Sequence, residues 1–264
     1  MLKLKSKVIT VLIIIGLLLL AAFAGYLRSK YAIPVLMYHS VNPQGNPDVN
    51  RLVVMPATFE KQMRFLKQRG YNVIPLEAVA DLLKNSKRLP RRPITITFDD
   101  GYKDNYTYAF PVLKKYALPA TVFIITNEVG RPDRLSWGQI KEMQASGIIA
   151  FGSHCLGPEP LVNIKSDTEL KRIIFDSKKL LEEKLGCPVT MFGYPEGRFN
   201  DKIKKLVKDA GYRLAVATSP GKEYPNNDVF LIKRLRISEN AADLVVFWFE
   251  TTGFYNLIKE NRHK

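Results

Sequence analysis

ITITFDDGYKDNYTYAFPVLKKYALPATVFIIT, residues Ile94–Thr126, is the stretch on which the fold turns. Its first five residues form an apolar, β-branched run that suits a buried strand. Asn105–Tyr116 has helical spacing, with Pro111 as an internal interruption. ATVFIIT is a second strand-like run. Two such runs joined by a helix form a βαβ unit, which makes the strands parallel.

The same alternation extends both ways. Upstream lie the β-rich PVLMYHSV (Pro34–Val41), a Pro/Asn/Gly loop over 42–55, and a helix over Pro56–Gly70. That helix starts at Pro, stops at Gly and keeps Phe59, Met63 and Leu66 on one face. YNVIPL and LEAVADLLK follow as a short strand and a short helix. Downstream come the helix SWGQIKEMQASG, the strand IIAFGS and an amphipathic helix over Asp167–Lys184. TMFGY, a helix over Asp201–Ala210, RLAVAT and FLIKRLRIS complete the series. Repeated alternation of this kind gives a parallel sheet covered by helices, in the α/β class, and the number of units suits a β/α barrel better than an open sheet. Barrel chemistry sits at the C-terminal ends of strands. The residues there are His39, Asp99–Asp100, His154 and Pro195–Glu196.

The ends of the chain bound its location. Val8–Leu27 is a run without charge, preceded by Lys3, Lys5 and Lys7 and followed by Arg28 and Lys30. About 20 apolar residues span a bilayer as a helix, and the basic flank favours an inside N-terminus. Residues 1–30 are therefore expected to be a single-pass membrane anchor. A cleaved signal peptide ending near Ala22-Phe23-Ala24 is the competing reading. Both readings place the working domain, 31–238, outside the cytoplasm, and export argues against a nucleic-acid role. Residues 239–264 form an aromatic, helix-like tail whose basic end, with His263, is a solvated terminus.

The whole chain of 264 residues carries a formal +15, and 46% of it is hydrophobic. That composition excludes long disorder and a disulfide-dense scaffold. The first 30 residues hold five basic and no acidic side chains, which leaves +10 on the remainder. Such a charge suits anionic envelope polymers or an anionic membrane surface. Cys155 and Cys187 are in the exported part, where a disulfide is permitted but their spacing does not specify one. Cys187, in LGCPV, is expected to be a small buried residue at a strand entrance.

Each strand-end group has two readings. TFDDG is either an Asp-Gly turn or a pair in which one acid binds a metal while the other takes a proton from water. His154, in GSHC, is a hydrogen-bonded structural residue or, with Asp100, part of a mixed site of the kind that suits zinc. Tyr194–Gly197 (YPEG) is either simply a loop with Glu196 in solvent or a tight turn that aims a backbone N–H at an oxyanion. His39 faces the core or lines the same mouth.

PVLMYHSV, TFDDGYKDNYTYAFPVLKKYALPATVFI, LSWGQIKEMQASGIIAFGSH, SKKLLEEKLGCPV and FGYPEGRFN, in this order and spacing, resemble the polysaccharide deacetylase family. This is carbohydrate esterase family 4, the chitooligosaccharide deacetylase homology domain, and the likeness runs from roughly Ile33 to Ser238. It implies a distorted (β/α)7 barrel, a divalent metal, usually zinc, and removal of acetyl groups from an N-acetylglucosamine-type polysaccharide of wall or biofilm. Carried over by position, Asp99 is the general base, Asp100 and His154 are metal ligands, and the Glu196 backbone N–H holds the oxyanion. Tyr102, Trp137, Tyr194 and Pro195 become substrate-contacting positions. Three departures stand out. The family's second metal histidine is Pro158 here, the arginine before the Pro-Tyr-Gly turn is absent, and LIKRLRIS lacks the late histidine. Glu196, then Glu159 or His39, are candidates for the missing ligand. The same loss admits a second reading, a glycan-binding or scaffold protein without activity.

Overall fold

The computed structural model describes residues 2–45, 51–85, 89–218, 225 and 227–255. Among them the strands are β1 Val35–Tyr38, β2 Ser40–Val41, β3 Val53–Val54, β4 Asn72–Val73, β5 Pro93–Phe98, β6 Ala120–Ile124, β7 Ile149–Ser153, β8 Met191–Gly193, β9 Leu214–Thr218 and β10 Ile232–Arg236. The α-helices are α1 Leu2–Lys30, α2 Pro56–Gln68, α3 Leu76–Asn85, α4 Phe110–Tyr116, α5 Trp137–Ala145, α6 Asp167–Leu185, α7 Asp201–Asp209 and α8 Leu244–Glu250.

Seven strands run parallel in the order β1-β10-β9-β8-β7-β6-β5, and β1 pairs with β5 to close the barrel. β4 adds to the start of β5, while β2 and β3 pair apart from the barrel. Helices α4, α5, α6 and α7 cross between successive strands from β5 to β9. Between β9 and β10 no α-helix occurs among the described residues.

Strand alternation divides the core in two. Ile94, Ile96 and Phe98 of β5 face outward into the layer shared with Phe59, Met63 and Leu66 of α2. Val35, Phe123, Met191, Val216 and Ile232, from five different strands, fill the barrel interior. Pro111 does not break a helix midway. Asn105–Ala109 forms a π-helical turn, and α4 begins at Phe110, which places Pro111 in the first turn where no intrahelical N–H is required.

Two expectations change. Cys187 is exposed, not buried, and Cys155 is the buried cysteine; both thiols are free. The strand expected over YNVIPL shortens to β4. Helix α1 covers the run expected to cross a membrane, yet no helix among the described residues is long and apolar enough to do so. The run extends to Val8, Ile9 and Val11, whose side chains lie outside the described residues. Residues 256–264, with His263, and part of the 42–55 loop lie outside them too.

Candidate active site

Asp99 and Asp100 directly follow β5. The Asp99 N–H donates to the Tyr38 carbonyl at 3.0 Å and so continues the β5–β1 ladder, which points its side chain into the barrel with Thr97. Alternation would turn Asp100 outward. Its φ of 68° reverses the chain direction instead, and both acids line one cavity. Non-glycine residues avoid this left-handed region. Asp100, Cys155 and Glu196, three of the five such residues among those described, follow or end strands around the mouth. Backbone strain of this kind collects at functional sites.

β1 lies between β5 and β10, so inward side chains from β5 and β10 meet across it. Arg234 of β10 is fully buried and grips Asp99 with a fork: Nη1–H donates to Oδ1 at 2.6 Å and Nη2–H to Oδ2 at 2.7 Å. Burial alone would raise the Asp99 pKa. The Arg234 guanidinium, with His154 and His39 nearby, overrides burial and brings it down to about 2. His39, just past β1, places Nε2 3.9 Å from Asp99 Oδ2. Asn105 holds this corner by donating Nδ2–H to the His39 carbonyl at 2.7 Å. Burial lowers the His39 pKa, against the pull of Asp99 and Asp100.

The second cluster comes from β5, β7 and β8. His154 Nδ1 lies 2.7 Å from the carbonyl oxygen of Gly193, a contact that assigns the ring proton to Nδ1. Nε2 is thereby left as an electron-pair donor, and it faces Asp100 Oδ1 at 3.6 Å. This carbonyl–imidazole arrangement is the one that orients metal-ligating histidines. Gly193 is required by the contact, because a Cβ there would sit 2.9 Å from His154 Nδ1. A carboxylate and an oriented imidazole fit a divalent ion at two positions. The third position is Pro158, which lines the cavity and offers no donor. Among the described residues no group of three His, Cys, Asp or Glu side chains gathers to hold a metal.

The candidates for that third position lie elsewhere. The Glu196 carboxylate is 60% exposed and leans toward Arg198 at 3.7 Å. Glu159 accepts a hydrogen bond from Asn163 at the surface. His39 approaches Asp99, not the Asp100–His154 pair. The YPEG turn itself is where expected. Gly197 and Arg198 donate back to the Tyr194 and Pro195 carbonyls, and Glu196 rides the apex with φ 55°. Gly197, with φ 69°, packs so closely on β9 that a Cβ would meet the Thr218 N at 2.6 Å.

The cavity of about 360 Å³ includes His39, Asp99, Asp100, His154, Pro195 and Glu196 in its lining. Three expected substrate-contacting side chains do not line it. Tyr194 is fully buried beneath the turn, against Phe192 and Phe199. Trp137 begins α5 and packs on the outer core. Tyr102 lies half-buried under Arg134, whose Cζ is 4.1 Å from the ring centre. Two cationic residues went unrecognised in LIKRLRIS. Ile232, Arg234 and Arg236 alternate onto one strand face; Arg234 reaches Asp99, and Arg236 lines the mouth.

Residues 86–215 match the family model described as polysaccharide deacetylase. YxkH of Bacillus subtilis (strain 168), named for that family, is 34% identical over 210 residues, which cover 80% of this chain and 73% of YxkH. The chain belongs to the polysaccharide deacetylase family. Its members are hydrolases that act on acetylated polysaccharide, and the barrel and strand-end acids agree with that chemistry. The Streptococcus pyogenes deacetylase PplD, solved in complex with acetate, superposes with a TM-score of 0.74 at 29% identity, over 82% of this chain and 97% of that one. The poly-beta-1,6-N-acetyl-D-glucosamine N-deacetylase of Staphylococcus aureus (strain MSSA476) is 29% identical over 214 residues, covering 75% of this chain and 72% of that protein.

Proposed function

We propose that this deacetylase hydrolyses the N-acetyl group of an N-acetylglucosamine-type polysaccharide outside the cytoplasm, tethered to the membrane by α1. The observation that carries the reading is the Arg234–Asp99–His39 line beside the Asp100–His154 pair, all in one cavity. The S. aureus relative's substrate supports the choice of glycan. The uncharged run Val8–Leu27 and its basic flank support the tether.

An amide carbonyl is a poor electrophile, so both its oxygen and the attacking water need help. Asp100 and His154 would hold a divalent ion, zinc by ligand type, which when bound polarises the carbonyl. Asp99 takes a proton from the attacking water. Arg234 uses one lone pair on each Asp99 oxygen and leaves the others to accept. It also keeps the carboxylate charged at any ordinary pH, at some cost in basicity. The Glu196 N–H, at the apex of its turn, donates to the developing oxyanion. As the C–N bond breaks, His39 supplies the proton that makes the amine a leaving group. Water's oxygen leaves in acetate, and its proton passes from Asp99 to His39, 3.9 Å away, so that it is the proton His39 gives to the amine.

A second reading, glycan binding without turnover, is favoured by one feature, the Pro158 position in the mouth. Acetate release from β-1,4- and β-1,6-linked N-acetylglucosamine oligomers, by the full chain in detergent with zinc, separates the two. Release supports the hydrolase. Oligomer binding without release supports the second reading.

A further inference from the structure

The aromatic tail divides by face. Phe247 is buried edge-on against Phe65 of α2, and Thr251 shares a hydrogen bond with Tyr71. The opposite side of α8 leaves Val245 70% exposed and Trp248 52% exposed, with Val246 and Phe249 also exposed. Val245 and Trp248 line a groove of about 640 Å³ together with Lys61, Arg64, Arg69 and Arg92 and with no acidic residue. Arg69 lies over the Phe65 ring, and Arg92 donates to the Arg69 carbonyl, so two of the cations are held in place.

The location of α8 gives this surface a meaning. The Ala32 N–H donates to the Gly253 carbonyl at 3.0 Å, and the Tyr31 and Phe254 rings meet edge-on at 5.6 Å. Gly253, with φ 81°, allows that approach, because a Cβ would lie 2.3 Å from the Tyr31 ring. The end of α8 is thus fastened to the first residues after α1. Tyr31 precedes β1 and Arg92 precedes β5, so the patch lies toward the N-terminal ends of the strands. The catalytic cavity opens at the other end.

We infer that the α8–α2 face is a membrane-docking surface for anionic phospholipid. Trp248 and its aliphatic neighbours enter the headgroup–acyl boundary while Lys61, Arg64, Arg69 and Arg92 meet lipid phosphates. Tryptophan favours that boundary, and clustered basic side chains bind anionic headgroups. The pairing of an exposed aromatic helix face with an acid-free cationic groove selects an anionic lipid over a neutral one. The inference rests on the tether reading, since the tether brings this face to the bilayer. Docking would hold the barrel with its mouth away from the lipid, toward the polymer.

The chain contains two tryptophans, Trp137 and Trp248, so a Trp137→Phe variant isolates Trp248. The full chain carrying that change is reconstituted into vesicles of phosphatidylglycerol and phosphatidylcholine, part of the lipid carrying brominated acyl chains. Docking predicts that bromine quenches Trp248 emission at least about twofold, and that Arg64→Glu with Arg69→Glu restores most of it. A Trp248→Phe chain, reporting Trp137, stays bright. Unquenched Trp248 in the anionic vesicles overturns the inference, as does a blue shift produced only by a soluble poly(glycerol phosphate). Flotation of the chain with the vesicles after an alkaline wash judges the tether separately. Unquenched Trp248 in a chain that still floats rejects docking and keeps the tether. Quenched Trp248 in a chain that the wash strips from vesicles keeps docking and rejects the tether.

Discussion

Arg234 and Asp99 form a two-bond fork, 2.6 and 2.7 Å long, inside the barrel directly beneath the mouth. The arginine comes from the last strand of the barrel. Breaking one side of a buried pair leaves an uncompensated charge and costs about 3–5 kcal/mol. Arg234→Met is therefore expected to lose stability of that order in denaturant titration, together with most activity. Adding Asp99→Asn to it should recover part of the stability and none of the activity.

The same pair makes stability depend on acid. Asp99 has a folded pKa of about 2, below the ordinary 3.8. A depressed carboxyl contributes stability above its unfolded pKa and loses it as pH falls toward the folded value. Thermal unfolding should show a loss on the order of 2 kcal/mol between about pH 4 and pH 2 from this residue. Asp99→Asn should flatten that limb of the curve by the same amount.

Gly193 holds His154 in its tautomer and leaves room for its ring. Gly193→Ala forces the ring away and is expected to cost about 1–3 kcal/mol of stability by overpacking. Metal content and acetate release should fall together, whereas Gly138→Ala in the exposed first turn of α5, where a Cβ meets only Ser136 Oγ at 3.8 Å, leaves both close to the parent.

Pro158→His places an imidazole where the cavity lacks a third donor. Zinc affinity by competition with a chromophoric chelator should rise by more than about tenfold, since catalytic zinc sites hold three protein ligands. An unchanged affinity would mean that two protein ligands already suffice in this barrel.

His39 is a proton donor in this scheme and is not among the metal ligands. His39→Gln should lower kcat by about 10²–10⁴, the usual range for a lost acid–base group, while zinc content stays at the parent level. A parallel loss of zinc would place His39 in the metal site instead.

The alternation of strand and helix was readable because each buried strand of a parallel sheet is nearly all apolar, and Ile94–Phe98 shows this plainly. The strand-end rule then located His39, Asp99, Asp100, His154, Pro195 and Glu196, all of which line one cavity. Arg234 escaped because a basic residue in a strand suggests solvent. Only closure of the barrel through β1 reveals that its face is interior. Trp137 and Tyr194 were misplaced for the opposite reason. Proximity in sequence to a motif does not fix which way a side chain points, and both face the packed side. The Glu196 carboxylate, carried on a left-handed turn, is 60% exposed and lies 3.7 Å from Arg198, an orientation that the spacing of the YPEG motif does not specify.

The most direct measurement is acetate release from an N-acetylglucosamine oligomer by the full chain, with zinc present, set against Asp99→Asn at equal oligomer binding. The account predicts steady release by the parent and a fall of at least about 10² in the variant. Oligomer binding in both, with parent release no greater than that of Asp99→Asn, would contradict it.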